Sequence, residues 1–260
     1  LQLLGSQNDM ATIRLELNDD FAGTKIKVKP LDDQFEYLPS SFWWNFFSKF
    51  LYFVVARPLI WLSLVFLYHQ KYVGKKNLKK MGKNGAFIYG NHTQVSADAF
   101  IPNLLCYHRN YILTSREAVS IPGIRNLVMM LGVIPLADSF SRAKQMRQCM
   151  AYHLKKGRTI TIFPEAHIWP YYTKIRPFKE TSFKYPLKDN LPCYALTNCY
   201  QKRRFGKRAK IITFIDGPFY PDPKLDKEDA AKELRNRIYE VMKERTETYS
   251  TYEYISYRKK

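Results

Sequence analysis

Two short polar segments, each following an apolar run typical of a strand, carry the side chains best suited to chemistry. His92 and Asp98 follow the apolar residues 86–89, and Glu165 follows residues 159–162. The carboxyl ends of strands are where open α/β sheets bind their ligands. We therefore expect a histidine, an aspartate and a glutamate to meet at one edge of a sheet.

These residue types fit the transfer of an acyl group to an alcohol. His92 would accept the hydroxyl proton, because an imidazole can act as a general base at neutral pH. Asp98 on the other ring nitrogen would fix the tautomer and stabilise the imidazolium. No serine lies in a nucleophile-elbow sequence, so direct attack of the substrate hydroxyl on a thioester is predicted. Main-chain amides near a helix expected to begin at Asp98 would stabilise the oxyanion.

The order of the motifs across residues 85–197 resembles that of the glycerophospholipid acyltransferases, the 1-acylglycerol-3-phosphate O-acyltransferases. The matching segments are Asn91-His92 closed by Asp98, Gly132-Val133-Ile134-Pro135, Phe163-Pro164-Glu165 and residues 191–197. The resemblance implies transfer of a fatty acyl group from acyl-CoA or acyl carrier protein to lysophosphatidic acid, which makes phosphatidic acid in phospholipid synthesis. The thioester is a co-substrate, so no cofactor is expected.

The chain departs from this family pattern at three places. Five residues separate His92 from Asp98 instead of four, so an extra turn residue must be absorbed before the two side chains can face each other. The arginine expected after the second motif is missing, and Arg142 is the nearest substitute. Ala166 replaces the glycine that closes the third motif. Phosphate recognition is therefore expected to differ from the family pattern.

The substrate-binding residues follow from the resemblance and from the chemistry of their side chains. Asn91 and Glu165 are assigned to the substrate, with Glu165 either accepting from glycerol hydroxyls or fixing a basic side chain. Arg142, Arg176 and Lys179 are candidates for the acceptor phosphate, because a guanidinium can bind phosphate oxygens bidentately.

A mononuclear zinc or manganese site is a weaker alternative, because mixed histidine and carboxylate ligands suit these metals. Its ligands would be His92, Asp98, Glu165 and His167. No compact pair such as His-x-x-x-His supports it, so no metal is predicted. His153 lies on an apolar helical stripe and is interpreted as a core histidine. The four cysteines lack paired spacing, which favours free thiols.

The net charge of +19 requires a polyanionic partner, either anionic lipid or nucleic acid. Residues 50–68 contain a single charge, at Arg57, and favour lipid. An apolar stripe at helical spacing predicts a helix in the membrane interface, formed by Trp43, Phe46, Phe47, Phe50 and Val54. Pro58 is expected to break or kink this helix, and Arg57-Pro58 in mid-segment favours two half-immersed helices. The alternative is that the segment only covers the core of the α/β domain.

The chain also has two basic clusters after this segment. The first is expected to bind anionic headgroups at the cytoplasmic face and comprises Lys71, Lys75, Lys76, Lys79, Lys80 and Lys83. The second, in residues 202–210, is interpreted either as a dock for lipid phosphate or an acidic acyl carrier or as a solvated loop. Residues 1–20 are polar and acidic, so no cleavable signal peptide is expected.

The alternation of strand and helix patterns predicts an α/β fold with a mainly parallel sheet and helices on both faces. The expected organisation is a polar arm at 1–40, a membrane-associated helical segment at 41–70 and the α/β domain at 71–260. Strands are expected at 86–90, 110–114, 132–136, 159–163, 192–197 and 210–216. Helices are expected at 98–107, 122–131, 142–156 and 179–188. Gly217-Pro218 is expected to end the last strand, and Asp226 to open a helix.

Two rival functions remain open on sequence grounds. One is an acyltransferase with another lysolipid or glycerol 3-phosphate as acceptor, which the altered second and third motifs favour. The other is a non-catalytic basic protein that binds membrane or nucleic acid, in which the His-Asp pair is incidental.

Overall fold

The structure, a computed structural model, describes residues 11–15, 27–32, 34–94, 97–106, 108–121 and 123–259. Its strands are β1 Ala11–Leu15, β2 Lys71–Val73, β3 Ala86–Gly90, β4 Asn110–Thr114, β5 Val133–Pro135, β6 Thr159–Ile162, β7 Cys193–Lys202, β8 Ala209–Phe219 and β9 Ile255–Lys259. Its α-helices are α1 Phe42–Phe50, α2 Arg57–Phe66, α3 Ile101–Leu105, α4 Glu117–Ser120, α5 Arg125–Met130, α6 Phe140–Lys155 and α7 Lys227–Tyr249.

Seven strands form one sheet in the order β2-β8-β7-β3-β6-β4-β5. The five strands from β7 to β5 pair in parallel, which confirms the predicted sheet type. β8 pairs antiparallel with β7 because only residues 203–208 join them. A loop this short permits a hairpin, whereas a parallel pair needs a crossover of about a dozen residues or more. β1 and β9 form a separate two-stranded parallel sheet.

Helices cover both faces of the sheet, as predicted. Strand β7 illustrates the alternation, because Cys193 and Ala195 belong to the core that includes α6 and α7, whereas Tyr194 and Leu196 belong to the core that includes α2 and α3. Helix α7 begins at Asp226, as predicted, where the carboxylate accepts from two main-chain amides at 2.9 Å.

The N-terminal helix, Phe42–Phe66, is continuous, so the expectation that Pro58 breaks it is wrong. A π-helical segment, Leu51–Ala56, links α1 to α2 and places Pro58 in the first turn of α2. There the missing N–H is tolerated, and the wider π turn accommodates the change in hydrogen bonding. By length and composition, this one helix could cross a membrane.

One side of the N-terminal helix packs on the domain and the other is exposed. Tyr52, Ile60 and Leu64 are buried, and the Arg57 guanidinium donates to the Cys106 carbonyl at 3.0 Å. The predicted apolar stripe lies on the exposed side and comprises Trp43, Phe46, Phe47, Phe50 and Val54, of which Trp43 is 63% exposed. The alternative that this segment only covers the core therefore accounts for its buried side but not for its exposed apolar side.

Several element boundaries differ from the expectation. β8 continues through Gly217-Pro218 to Phe219, because a bulge between Cys193 and Ala195 absorbs the irregular residues. Part of the first basic cluster forms β2 and a 3₁₀ helix, Lys75–Met81, although the sequence patterns predict no helix or strand there. The helix expected at 179–188 is two 3₁₀ turns, since Pro186 at the second turn cannot continue the main-chain hydrogen bonding.

Two further helices are shorter than expected. α3 covers only the middle of 98–107, and α5 covers only part of 122–131 and is preceded by the separate helix α4. In the arm, Leu31, Phe35 and Tyr37 are buried against the α6 side of the sheet. Residues 1–10 and 16–26 of the predicted arm lie outside the described residues.

Candidate active site

The centre of the site is the Asp98 carboxylate, which is 1% exposed and accepts four hydrogen bonds. Its Oδ2 atom contacts His92 Nδ1 at 2.9 Å and accepts from the main-chain amides of Thr93 and Gln94 at 2.7 and 2.8 Å. Its Oδ1 atom accepts from the side-chain amide of Asn198 at 2.9 Å. The longer spacing between His92 and Asp98 is thus accommodated, and the two side chains meet.

The His92 imidazole is held with its remaining nitrogen available for a substrate. Its ring stacks on Phe163 with centroids 4.7 Å apart, and its side chain is 26% exposed. Gly90 makes this stacking possible, because a Cβ atom there would lie 2.7 Å from the Phe163 ring. An Nδ1–H donated to Asp98 leaves Nε2 unprotonated, as a general base requires.

Asn91 has a different position from the one expected of a substrate-binding residue. It is fully buried, and its amide exchanges two hydrogen bonds with the main chain of Asn198, at 3.0 and 2.8 Å. This pairing ties the carboxyl end of β3 to β7. Asn91 therefore positions the loop that carries His92 and is not exposed to a substrate.

Glu165 binds a basic side chain, which is one of its two expected roles. Its carboxylate accepts from the Arg176 guanidinium at 2.9 Å, from the Arg176 main-chain amide at 3.0 Å and from the His92 main-chain amide at 3.2 Å. Both side chains of the ion pair are buried. Burial raises the pKa of Glu165, while the Arg176 charge and these hydrogen bonds act in the opposite direction. The pair connects the two loops of the site.

The backbone conformation of Ala166 explains why the family pattern has glycine at this position. Its φ is 65°, in the left-handed region that disfavours a side chain. The turn reverses the chain after Glu165, so that the following loop returns alongside His92. There the amides of Trp169 and Tyr171 donate to the carbonyls of His92 and Thr93 at 3.1 and 2.8 Å.

A cavity of about 760 Å³ opens beside His92. Its wall is largely apolar and includes Leu113, Ala118, Ile121, Leu136, Ile162 and Phe178. Lys179 and His167 also line it, together with Glu117. The His92–Asp98 pair therefore faces a space with room for an aliphatic chain and a polar group.

Two of the three expected phosphate ligands are engaged elsewhere. Arg142, on α6, lies outside the residues that line this cavity and donates to the Phe35 carbonyl of the arm at 2.7 Å. Arg176 is committed to Glu165 and stacks over Trp169 at 4.8 Å. Of the three, Lys179 alone has an exposed side chain at the cavity.

Two other expectations concern histidines. Among the described residues, no group of three or more histidine, cysteine or acidic side chains could hold a metal ion, so the alternative metal site has no structural support. His153 is a core histidine, as expected: it is buried, stacks on Tyr111 at 3.7 Å and contacts Arg158 at 2.8 Å. Burial and then the charges of Arg158 and Arg109 lower its pKa to about 3.

Two comparisons with known proteins give matches. Residues 69–197, which contain both loops of the site, match the family model described as Acyltransferase. The chain belongs to the acyltransferase family. The structure is also similar to the crystal structure of the 1-acyl-sn-glycerophosphate (LPA) acyltransferase PlsC from Thermotoga maritima, with a TM-score of 0.51 and 20% identity over 79% of this chain and 88% of that one. A search of curated proteins finds no match.

Sequence reasoning missed three residues that hold the site of this acyltransferase together. Asn198 bonds both Asn91 and Asp98, Phe163 stacks on His92, and the buried Tyr200 hydroxyl lies 2.6 Å from Thr93 Oγ1. Asn198 lies directly beyond the fourth motif, in the run Cys193–Tyr200, whose only other strongly polar residue is Thr197. That pattern is the signal that could have identified it.

Replacing Ala166 by glycine should stabilise the fold. Relief of the left-handed strain, which costs about 1–2 kcal/mol, exceeds the added entropy of the unfolded chain, about 0.4–1 kcal/mol. We expect a net gain of roughly 0.5–1 kcal/mol in the free energy of unfolding measured with urea. Ala143→Gly, on α6, is the matched control and should destabilise by about 1 kcal/mol. Equal losses in both variants would contradict this account of the turn.

Removing Arg176 should destabilise the protein in a pH-dependent way. In Arg176→Met, Glu165 is buried without its counter-ion, and we expect a loss of about 3–5 kcal/mol near pH 7. Its folded pKa then lies above the unfolded value of about 4.3, so the loss is smallest below that value, grows as the pH rises from there to the folded pKa and is constant above it.

Urea unfolding of the wild type and the variant at two pH values measures this difference. The double variant Glu165→Gln/Arg176→Met is the control, since it has no buried carboxylate and should recover much of the loss at neutral pH. A loss in the single variant that does not change with pH would show that packing of the arginine, and not the unpaired charge, is what matters.

Proposed function

We propose that this protein transfers a fatty acyl group from a thioester donor to the free hydroxyl of lysophosphatidic acid, producing phosphatidic acid. The observation that carries the proposal is the His92–Asp98 pair at the mouth of a largely apolar cavity. The name of the similar Thermotoga maritima structure, an LPA acyltransferase, supports the same acceptor. Acyl-CoA or acyl carrier protein serves as the donor.

The reaction follows from the position of each group. The acceptor hydroxyl donates its proton to His92 Nε2 as its oxygen attacks the thioester carbonyl. Asp98 stabilises the resulting imidazolium, and its own four hydrogen bonds keep it in place. When the tetrahedral intermediate collapses, the thiolate leaves and His92 returns the proton to it. No covalent acyl-enzyme is needed.

The amides of Thr93 and Gln94 do not serve the oxyanion, because both donate to Asp98. Their role is to satisfy the hydrogen-bonding capacity of a carboxylate that is only 1% exposed. The oxyanion is therefore proposed to accept hydrogen bonds from other main-chain amides around the cavity.

Lys179 is the proposed contact for the acceptor phosphate. Lys179 lines the same cavity as His92 and is exposed, whereas Arg142 and Arg176 are bound to protein groups. The apolar wall formed by α4 and the ends of β4 and β6 would hold the acyl chain.

The N-terminal helix supports attachment to the cytoplasmic face of an anionic membrane. It presents a continuous aromatic and aliphatic side to solvent, and the lysines of the first basic cluster follow it directly. Burial of this side among lipid chains, with lysines at the headgroups, would hold the protein at the interface and give the cavity access to lysolipid.

Thiol release from palmitoyl-CoA and from an acyl carrier protein thioester, with lysophosphatidic acid in detergent, tests the function. We expect acceptor-dependent release with at least one donor and a fall of about 10²–10⁴-fold in His92→Asn, which removes the base. His69→Asn is the matched control, because His69 is an exposed loop histidine outside the site. No release from the wild type with several lysolipid acceptors would contradict the proposal.

Lys179→Ala should separate acceptor binding from chemistry. Loss of one exposed phosphate contact is expected to raise KM for lysophosphatidic acid by roughly tenfold while kcat changes little. Lys188→Ala, at an exposed position on the following 3₁₀ turn, should leave both constants unchanged. An unchanged KM in Lys179→Ala would assign the phosphate to another group.

A further inference from the structure

A second cavity lies at the opposite edge of the sheet from His92. It has a volume of about 630 Å³ and is bounded by α1, by the beginnings of β4 and β6 and by the end of α6. Arg109 immediately precedes β4 and Arg158 immediately precedes β6, and these strands are parallel neighbours in register. The two guanidiniums are therefore brought together at the amino ends of the strands, whereas the catalytic groups occupy the carboxyl ends.

The cavity has a concentrated positive charge. Four cationic side chains line it, Lys49, Arg109, Lys156 and Arg158, and no aspartate or glutamate is among its lining residues. Arg109 and Arg158 lie over the same Tyr111 ring, 4.9 and 5.8 Å from its centroid. In the part of the chain that the structure describes, none of the four cations forms an ion pair.

Arg109 shows that this charge is not neutralised by the protein. It is 9% exposed, and it donates to the Ser48 hydroxyl at 2.8 Å and to the Met130 carbonyl. Its Nε atom is buried with no hydrogen-bond partner among the described residues. Burying the Arg109 guanidinium against the same ring as the half-buried Arg158 is unfavourable without an anion, and a bound anion would reduce that cost.

We propose that this cavity, which we name the basic cavity, binds the phosphomonoester headgroup of an anionic phospholipid. Lys49, Lys156 and Arg158 line the cavity and suit a doubly charged phosphate. Arg109, whose terminal nitrogens donate to Ser48 and Met130, adds its charge from behind them. The basic cavity is distinct from the acyltransfer cavity beside His92, because the two share no lining residue.

The position of the basic cavity favours a lipid over a soluble phosphate. Trp44, Lys49 and Phe53 of the N-terminal helix form one of its walls. The same helix exposes an aromatic surface on its outer side, formed by Trp43, Phe46, Phe47 and Phe50. A headgroup in the basic cavity would leave its acyl chains beside this exposed aromatic surface. The inference that the phosphate belongs to a lipid thus rests on the proposed membrane attachment. The inference that the basic cavity binds a phosphate group does not.

Binding is tested with the full chain and with Lys49→Ala/Lys156→Ala, which removes two cations from the basic cavity without touching the buried arginines. The control is Lys144→Ala/Lys155→Ala, which removes the same charge from exposed positions of α6 outside this cavity. Unliganded melting temperatures establish that both variants fold. The soluble probes are inorganic phosphate and a short-chain phosphatidate, each followed by thermal shift and titration calorimetry.

We expect the short-chain phosphatidate to raise the melting temperature of the wild type and of the control. Its affinity should fall by about tenfold or more in Lys49→Ala/Lys156→Ala. An equal affinity in the two double variants would overturn the proposal. Because phosphatidate is also the proposed product, the titrations are analysed for two sites, and the site that Lys49→Ala/Lys156→Ala loses must persist in Lys179→Ala, which alters only the acyltransfer cavity. Binding is measured without turnover, so a failed acyltransfer assay would leave this result intact.

Vesicle flotation identifies the source of the phosphate. Vesicles of phosphatidylcholine with phosphatidate should bind the wild type more tightly than vesicles with phosphatidylglycerol, a phosphodiester, at matched surface charge. This preference should disappear in Lys49→Ala/Lys156→Ala and persist in the control. Binding of inorganic phosphate as tight as that of the short-chain phosphatidate, with no preference between the vesicles, would overturn the lipid headgroup as the ligand.

Discussion

The site depends on how one buried carboxylate is stabilised. Asp98 is almost inaccessible to water, and its charge is supported by the His92 ring, the Thr93 and Gln94 amides and the Asn198 side chain. These donors come from the loop after β3 and from the adjacent strand β7. The carboxylate can therefore be buried only when the two strands are in register, which couples the catalytic geometry to the pairing of the central sheet.

The second connection within the site is the Glu165–Arg176 ion pair. Glu165 accepts from the main chain of the His92 loop as well as from Arg176, so the loop after β6 and the loop after β3 share one buried charge pair. A buried ion pair adds little net stability compared with apolar packing, but it costs a great deal when one partner is lost. Its effect here is to fix the relative position of two loops that approach each other at the edge of the sheet.

The two ends of the sheet have different electrostatic characters. At the carboxyl ends, the buried carboxylates of Asp98 and Glu165 are matched by named donors, and the cavity beside them is largely apolar. At the amino ends, Arg109 and Arg158 share one aromatic ring and lack acidic partners among the residues that line the basic cavity. The N-terminal helix runs beside the second of these regions and exposes its apolar side to solvent. This arrangement is consistent with chemistry at one edge and anion binding at the other.

Three features could be predicted from the sequence: the central parallel strands, the helix opened by Asp226 and the meeting of His92 with Asp98 at a strand edge. Local patterns suffice for these features, because apolar runs and polar residues at their ends depend on short segments of the chain. Three other contacts could be found only in the folded protein, because each joins residues distant along the chain. Asn91 binds Asn198, Glu165 binds Arg176, and Arg142 binds the arm. The tertiary structure also decided the continuous path of the helix at Pro58, where packing on the domain and a π turn outweigh the local preference of proline to interrupt a helix.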